Sequence, residues 1–176
     1  MADCHFHVSK RLVLAIAVIG AAGVAGLFAQ LRTHGFSARV KPSAIEMYVA
    51  TAVRRLAIPP ATRALVNPLS ETPLRLAQAR DHFADHCATC HGNDGSGKSM
   101  INAGLFPPAP DMRTSVTQGK SDGELLHIIR EGVRFTGMPG WGGTDEENWK
   151  LVLFIRHLPH LSDEEQALME ETNHKR

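Results

Sequence analysis

Two thiols and an imidazole stand within five residues of one another in Cys87-Ala88-Thr89-Cys90-His91, and no other cysteines cluster in the chain. In a Cys-x-x-Cys-His segment the two sulfurs add to the vinyl groups of a haem, and the adjacent histidine becomes the proximal ligand of its iron. This spacing holds both sulfurs and the ring against the same macrocycle. Two other chemistries use the same residue types. A zinc tetrad of His82, His86, Cys87 and Cys90 would draw all its ligands from one segment and leave His91 without a role, whereas zinc sites usually pair ligands from two separated segments. A redox dithiol belongs at the start of a helix that follows a strand, and the residues around Cys87 show no strand pattern. Covalent haem c is the chemistry the segment fits.

An iron held by His91 needs a sixth ligand or keeps an open position, and that choice separates an electron carrier from a catalyst or gas sensor. Of the six methionines, Met1, Met47 and Met169 lie outside the central region, which leaves Met100, Met112 and Met138. Met138 sits in Gly137-Met138-Pro139-Gly140-Trp141, 47 residues beyond His91, where glycine permits close approach and proline stiffens the backbone. It is the expected distal ligand, with Met112 in reserve and His127 as the alternative that would make a bis-histidine iron. With both axial positions filled, small-molecule substrates cannot reach the iron, and the reaction is outer-sphere electron transfer. The run from Leu105 to Pro110 is expected to pack the proximal side, with a carbonyl accepting the His91 Nδ1 proton. Pro107 and Pro108 are equal candidates for that carbonyl.

The elements that must position these residues are helices. Thr72 and Pro73 form an N-cap and first helical position, and a helix over 73–87 puts Leu76, Ala79, Phe83 and Cys87 on one face. After a Gly- and Pro-rich loop over 92–119, Ser121 with Glu124 is a capping box opening a short helix that ends at Gly132. Thr144 with Glu147 opens another, whose Leu151, Val152, Phe154, Ile155 and Leu158 are core candidates and which Pro159 closes. Ser162 with Glu165 starts a last, acidic helix expected to be mostly solvated. No segment alternates with period two for long enough to argue a sheet, so the fold class is all-α.

Upstream, Leu12 to Leu31 contains no charged residue and at 1.5 Å per residue makes a helix of about 30 Å, the thickness of a bilayer's hydrocarbon core. The expectation is an uncleaved transmembrane anchor; a secretory signal cleaved near Gly23-Val24-Ala25 is the alternative, and both export the rest of the chain. Basic residues flank both ends, so charge alone does not orient the span. Glycines at 20, 23 and 26 are read as a small-residue span, and Cys4, beside His5 and His7, as an idle thiol. A connector over 32–72 contains a capping box, Ser43 with Glu46, and an amphipathic helix over about 43–57. Its Ile45, Val49, Ala52, Val53 and Leu56 form a stripe expected to be buried against the downstream domain, a second protein or a membrane surface, with Arg54 and Arg55 off the stripe. Pro59-Pro60 and Asn67-Pro68 mark a spacer with room for one short helical turn. The organisation is therefore 1–11, an anchor over 12–31, the connector, a haem domain over 73–160 and a tail over 161–176. With 19 basic against 18 acidic side chains, the chain lacks the positive excess that nucleic acid requires.

From Pro73 to about His160 the sequence resembles the class I cytochrome c family, specifically its membrane-anchored bacterial monohaem members. Phe83 is similar to the family's N-terminal-helix aromatic, and Leu151 and Phe154 to the C-terminal-helix residues it packs against. Cys90-His91-Gly92-Asn93-Asp94-Gly95-Ser96-Gly97 and Gly137-Met138-Pro139 are similar to the haem-binding and methionine-ligand segments. Ala79 departs from the glycine many members carry at the helix contact, and the 43–57 helix lies outside the family pattern. The resemblance implies packed terminal helices around one haem c, with the haem domain on the outer, periplasmic side of the cytoplasmic membrane and the N-terminus in the cytoplasm. The function it implies is electron transport in a respiratory chain rather than enzymatic turnover. The expected partners are a membrane dehydrogenase or quinol-oxidising complex and a terminal oxidase or reductase. The alternative is a fixed electron-entry subunit of such a complex.

Overall fold

A computed structural model describes residues 9–35 and 37–174. Among these every regular element is a helix, and the chain divides into two compact units, residues 1–40 and 41–176. Cys4, His5 and His7 lie outside the described residues.

The first unit is one helix, α1 (Lys10–His34). Its N-cap is Ser9, whose Oγ accepts from the Leu12 amide at 3.3 Å, satisfying one of the donors a helix start leaves free. Lys10–Thr33 is long and apolar enough to cross a membrane, by its length and composition. A signal sequence would have the same length and composition.

The second unit begins with α2 (Ala44–Ala57), closed by the expected capping box: Glu46 N donates to Ser43 Oγ and Ser43 N to Glu46 Oε2. No residue of α2 is buried, so of the three partners expected for its apolar stripe the downstream domain is not the one that covers it. The domain instead receives a polar flank of the helix, through an Arg55–Glu124 ion pair at 3.6 Å, and Ile58 just past its end, which is buried. The spacer after it is docked rather than loose. Helix α3 (Pro60–Arg63) lies against α7 (Asp122–Glu131), with the Arg63 carbonyl accepting from Ser121 Oγ at 2.8 Å. A Cβ on Gly123 would overlap the Thr62 carbonyl, so glycine is what lets the two helices meet. Asn67 Nδ2 donates to the Trp149 carbonyl at 2.9 Å.

The core forms where α4 (Pro73–His86) packs on α8 (Asp145–His157). Phe83 and Phe154 are fully buried with ring centroids 5.3 Å apart, a tilted pair that contributes about 0.5–1.5 kcal/mol beyond the area it buries. Ala79 is buried beside them. Helix α7 packs on α8, where the Arg156 guanidinium donates to Asp122 Oδ1 at 2.8 Å and to the Gln118 carbonyl at 2.7 Å. Short turns α5 (Ala88–His91) and α6 (Ser115–Gln118) lie between α4 and α7. The terminal helix α9 (Asp163–His174) is mostly exposed, as its acidic composition implies, but it packs on α4 and drives Met169 fully into the core.

Candidate functional site

Helix α4 delivers the first cysteine and α5 the rest of the motif. Cys87 is the C-cap of α4, its amide donating to the Phe83 carbonyl at 2.8 Å, and its own carbonyl accepts from His91 N at 2.9 Å. One helical turn therefore carries Cys87, Cys90 and His91, and Gly92 ends it with a φ of 76° that few other residues accept. Cys87 packs against the hydrophobic cluster, and burial, with the neighbouring Cys90 adding to it, pushes its thiol up to about 12. An uncharged thiol held there is suited to a covalent bond inside an apolar wall rather than to reactivity in solvent.

His91 is 7% exposed, and burial pushes its imidazole down to about 4, against which the Pro110 carbonyl acts. Its Nδ1 is sealed from water and finds no partner at full hydrogen-bond geometry. The carbonyl that acts on the His91 ring is thus Pro110's, rather than that of Pro107 or Pro108. A neutral imidazole whose Nδ1 is directed toward a backbone carbonyl leaves Nε2 to bind metal.

Asn102 places Pro110, and sequence reasoning missed it. It is 8% exposed, accepts from Ala109 N at Oδ1, and donates from Nδ2 to the Gly97 and Ala109 carbonyls. One amide thereby joins the turn after His91 to the proline-rich loop. A Cβ on Gly97 would stand 2.7 Å from the Ala109 carbonyl, so the two strips of backbone touch only because residue 97 is glycine. Arg113 closes the same turn from outside, reaching Asp94 Oδ2 and Asp111 Oδ2 at 2.8 Å each.

The three methionines of the central region have different surroundings. Met112 is buried in the hydrophobic cluster and Met100 is 95% exposed. Met138 is half-buried in a loop that returns onto α7: its carbonyl accepts from Val133 N at 3.0 Å, and Trp141 N and Gly142 N donate to the Ile129 and Arg130 carbonyls at 3.1 Å each. Gly132 and Gly140 face each other where the loop closes, and a Cβ on either would strike the opposite backbone. The loop touches both other parts of the site. A Cβ on Gly137 would lie 2.7 Å from Leu105 Cδ2, and the Trp141 ring stands 5.1 Å from that of His86, one residue before Cys87. His127 is half-buried on α7.

A large apolar ring system fits these surroundings. Ile101, Phe106, Phe135 and Trp141, all on the two loops that follow the motif, are each at least 39% exposed. Phe135 also holds a φ of 63°, a conformation that costs a bulky side chain on the order of 1–3 kcal/mol. Among the described residues no group of three His, Cys, Asp or Glu could hold a metal ion, and His82 and His86 face one another edge-on at 5.0 Å.

Residues 75–155 match the family model described as cytochrome C oxidase, cbb3-type, subunit III. The match runs from α4 to α8 and contains Cys87, Cys90, His91 and Met138. These residues are a class I c-type cytochrome domain. A domain of this family carries haem c covalently, and its chemistry is electron transport. No curated protein matches the chain. Helices α1, α2, α3 and α9 lie outside the matched stretch.

Proposed function

We propose that the cytochrome domain transfers single electrons through one haem c joined to Cys87 and Cys90 and ligated by His91 Nε2 and Met138 Sδ. The observation that carries this reading is His91: buried, neutral at physiological pH, and oriented through Nδ1 toward Pro110. Haem c, when bound, supplies a ferrous–ferric couple that exchanges one electron without making or breaking a bond to substrate. The chain's part is to hold that couple still. Asn102 and Gly97 keep the Pro110 loop against the turn that carries His91, and Gly132 and Gly140 keep the Met138 loop closed on α7. A soft thioether from Met138, held with the His91 imidazole, would favour the ferrous state and raise the potential relative to a second imidazole.

Helix α1 serves in this reading as an uncleaved anchor, with the N-terminus in the cytoplasm and the haem domain outside. The cytochrome then shuttles electrons between respiratory complexes while tethered to the membrane. A second reading, a fixed electron-entry subunit of an oxidase or related complex, is favoured by the matched family, whose description is that of an oxidase subunit. Extraction in mild detergent separates them: a shuttle purifies alone, a subunit with its complex. The spectrum of the dithionite-reduced protein tests the shared core of both. A sharp low-spin α-band that titrates as one one-electron centre is expected, and a high-spin ferrous spectrum overturns the six-coordinate assignment.

A further inference from the structure

Helix α2 is built the wrong way round for a helix that serves only the domain it precedes. The large side chains of its stripe are left uncovered, with Leu56 81%, Ile45 76%, Val53 59% and Val49 50% exposed and only the small Ala52 half-buried, while Arg54 on the opposite side is half-buried. Arg55 and Tyr48 lie together on one flank of the stripe, since positions 48 and 55 fall within about 20° of each other on a helical wheel. Burial lowers the Arg54 guanidinium and Glu124 opposes that shift, so the polar edge is the one the domain engages.

Charge identifies what the apolar edge meets. Between residues 32 and 63 six side chains are basic and only Glu46 is acidic, whereas residues 71–176 carry 16 acidic against 11 basic side chains. An amphipathic helix set within a basic segment and joined to an acidic domain is drawn to an anionic lipid surface, and the domain is repelled from it. Tyr48, 75% exposed on the flank, is an amphipathic ring of the kind favoured at headgroup depth. Chain length agrees. Nine residues separate the end of α1 from the start of α2, a reach of at most about 32 Å when fully extended. A protein partner is the poorer fit, because five side chains on one short helix fall well below the roughly 20 residues per side of a stable interface.

We infer that α2 is an interfacial helix that lies on the outer leaflet through Ile45, Val49, Val53 and Leu56. Through its polar edge it fixes how the haem domain stands over an anionic lipid surface. The inference rests on the reading of α1 as a membrane anchor.

The test uses the full-length holoprotein, carrying Cys4→Ser and either Val49→Cys or Met47→Cys, in its ferrous form in nanodiscs of phosphatidylglycerol and phosphatidylethanolamine. A spin label at position 49 is expected to collide with oxygen and be shielded from a nickel chelate, at a depth of about 5–10 Å below the headgroups. A label at position 47, on the opposite side, is expected to collide with the nickel chelate. Equal nickel access at both positions overturns the inference. Shielding of position 49 from both reagents also overturns it and assigns the stripe to a protein partner, and dipolar broadening between labels assigns it to a second copy. The intact mass of the same sample reports α1 separately. Loss of α1 with position 49 still in lipid refutes the anchor and leaves the interfacial helix standing; α1 retained with position 49 in water refutes the helix alone.

Discussion

Substitution of Gly132 by alanine should loosen the distal side of the iron without unfolding the domain. Gly132 has φ 71° and ψ −166°, a region that is essentially glycine's alone and costs another residue about 1–3 kcal/mol. The added Cβ would also collide with Gly140 N and Pro139 C, and stand 2.7 Å from the Met138 carbonyl. That overlap adds about 1–3 kcal/mol, as for overpacking in a core, and it falls on the segment that carries Met138. Gly142→Ala is the control. Its φ of 60° imposes a backbone cost, but the new Cβ meets nothing within 4 Å. The overlap is present only in Gly132→Ala and by itself amounts to roughly 5- to 150-fold in the equilibrium between closed and open loops. Imidazole titration of the ferric protein measures it, because in the proposed function imidazole must displace the Met138 sulfur to bind. Gly132→Ala should bind imidazole tighter than Gly142→Ala by that factor and show a weakened sulfur-to-iron charge-transfer band. Equal affinities in the two variants would refute the claim that closure of this loop holds Met138 on the iron.

Packing and charge outside the iron site set two further outcomes. Met169→Ala empties a fully buried position and should cost about 2–5 kcal/mol, which thermal unfolding of the holoprotein reads as a Tm drop of roughly 10 °C or more; an unchanged Tm would mean α9 does not belong to the core. At Asp94, burial raises the carboxyl, but the Ser96 hydrogen bonds and Arg113 outweigh it and hold it below its ordinary 3.8. At Asp111 the Arg113 hydrogen bond does the same. Folded pKa values below the unfolded ones add stability that is present above pH 3.8 and lost as pH falls through the folded values. Urea unfolding should accordingly show Arg113→Leu less stable than wild type at pH 7, with the gap closing below pH 3.8. A gap independent of pH would assign Arg113 to packing rather than to its two carboxylates.

Features set by neighbours along the chain are legible in the sequence. The capping boxes at Ser43, Ser121 and Thr144 form with the partners their three-residue spacing announces. Phe83 meets Phe154 because a helical period puts each on its own buried stripe. Features set by contacts between distant segments are not legible there. An apolar stripe on α2 says that the face avoids water, but not what covers it, and the domain engages a polar flank through Glu124. Pro107, Pro108 and Pro110 are indistinguishable as residue types; only the clamp of Asn102 on Ala109 and Gly97 makes Pro110 the carbonyl near His91. Asn102 gives no signal of its own, being one polar residue in a Gly- and Pro-rich loop. Met169 reads as part of a solvated tail because a single apolar anchor in an acidic helix leaves almost no periodic pattern.

In the proposed function the chain itself would supply both protein ligands of the haem iron, His91 and Met138, which would make the cytochrome a conductor of electrons and not a binder of small molecules. Carbon monoxide added to the ferrous full-length protein tests this most directly. No change is expected in the reduced spectrum of the wild-type protein, against rapid carbonyl formation in Met138→Ala. Carbonyl formation in the wild-type protein on mixing would contradict the His91/Met138 iron, because a centre that opens so readily has a free site for chemistry.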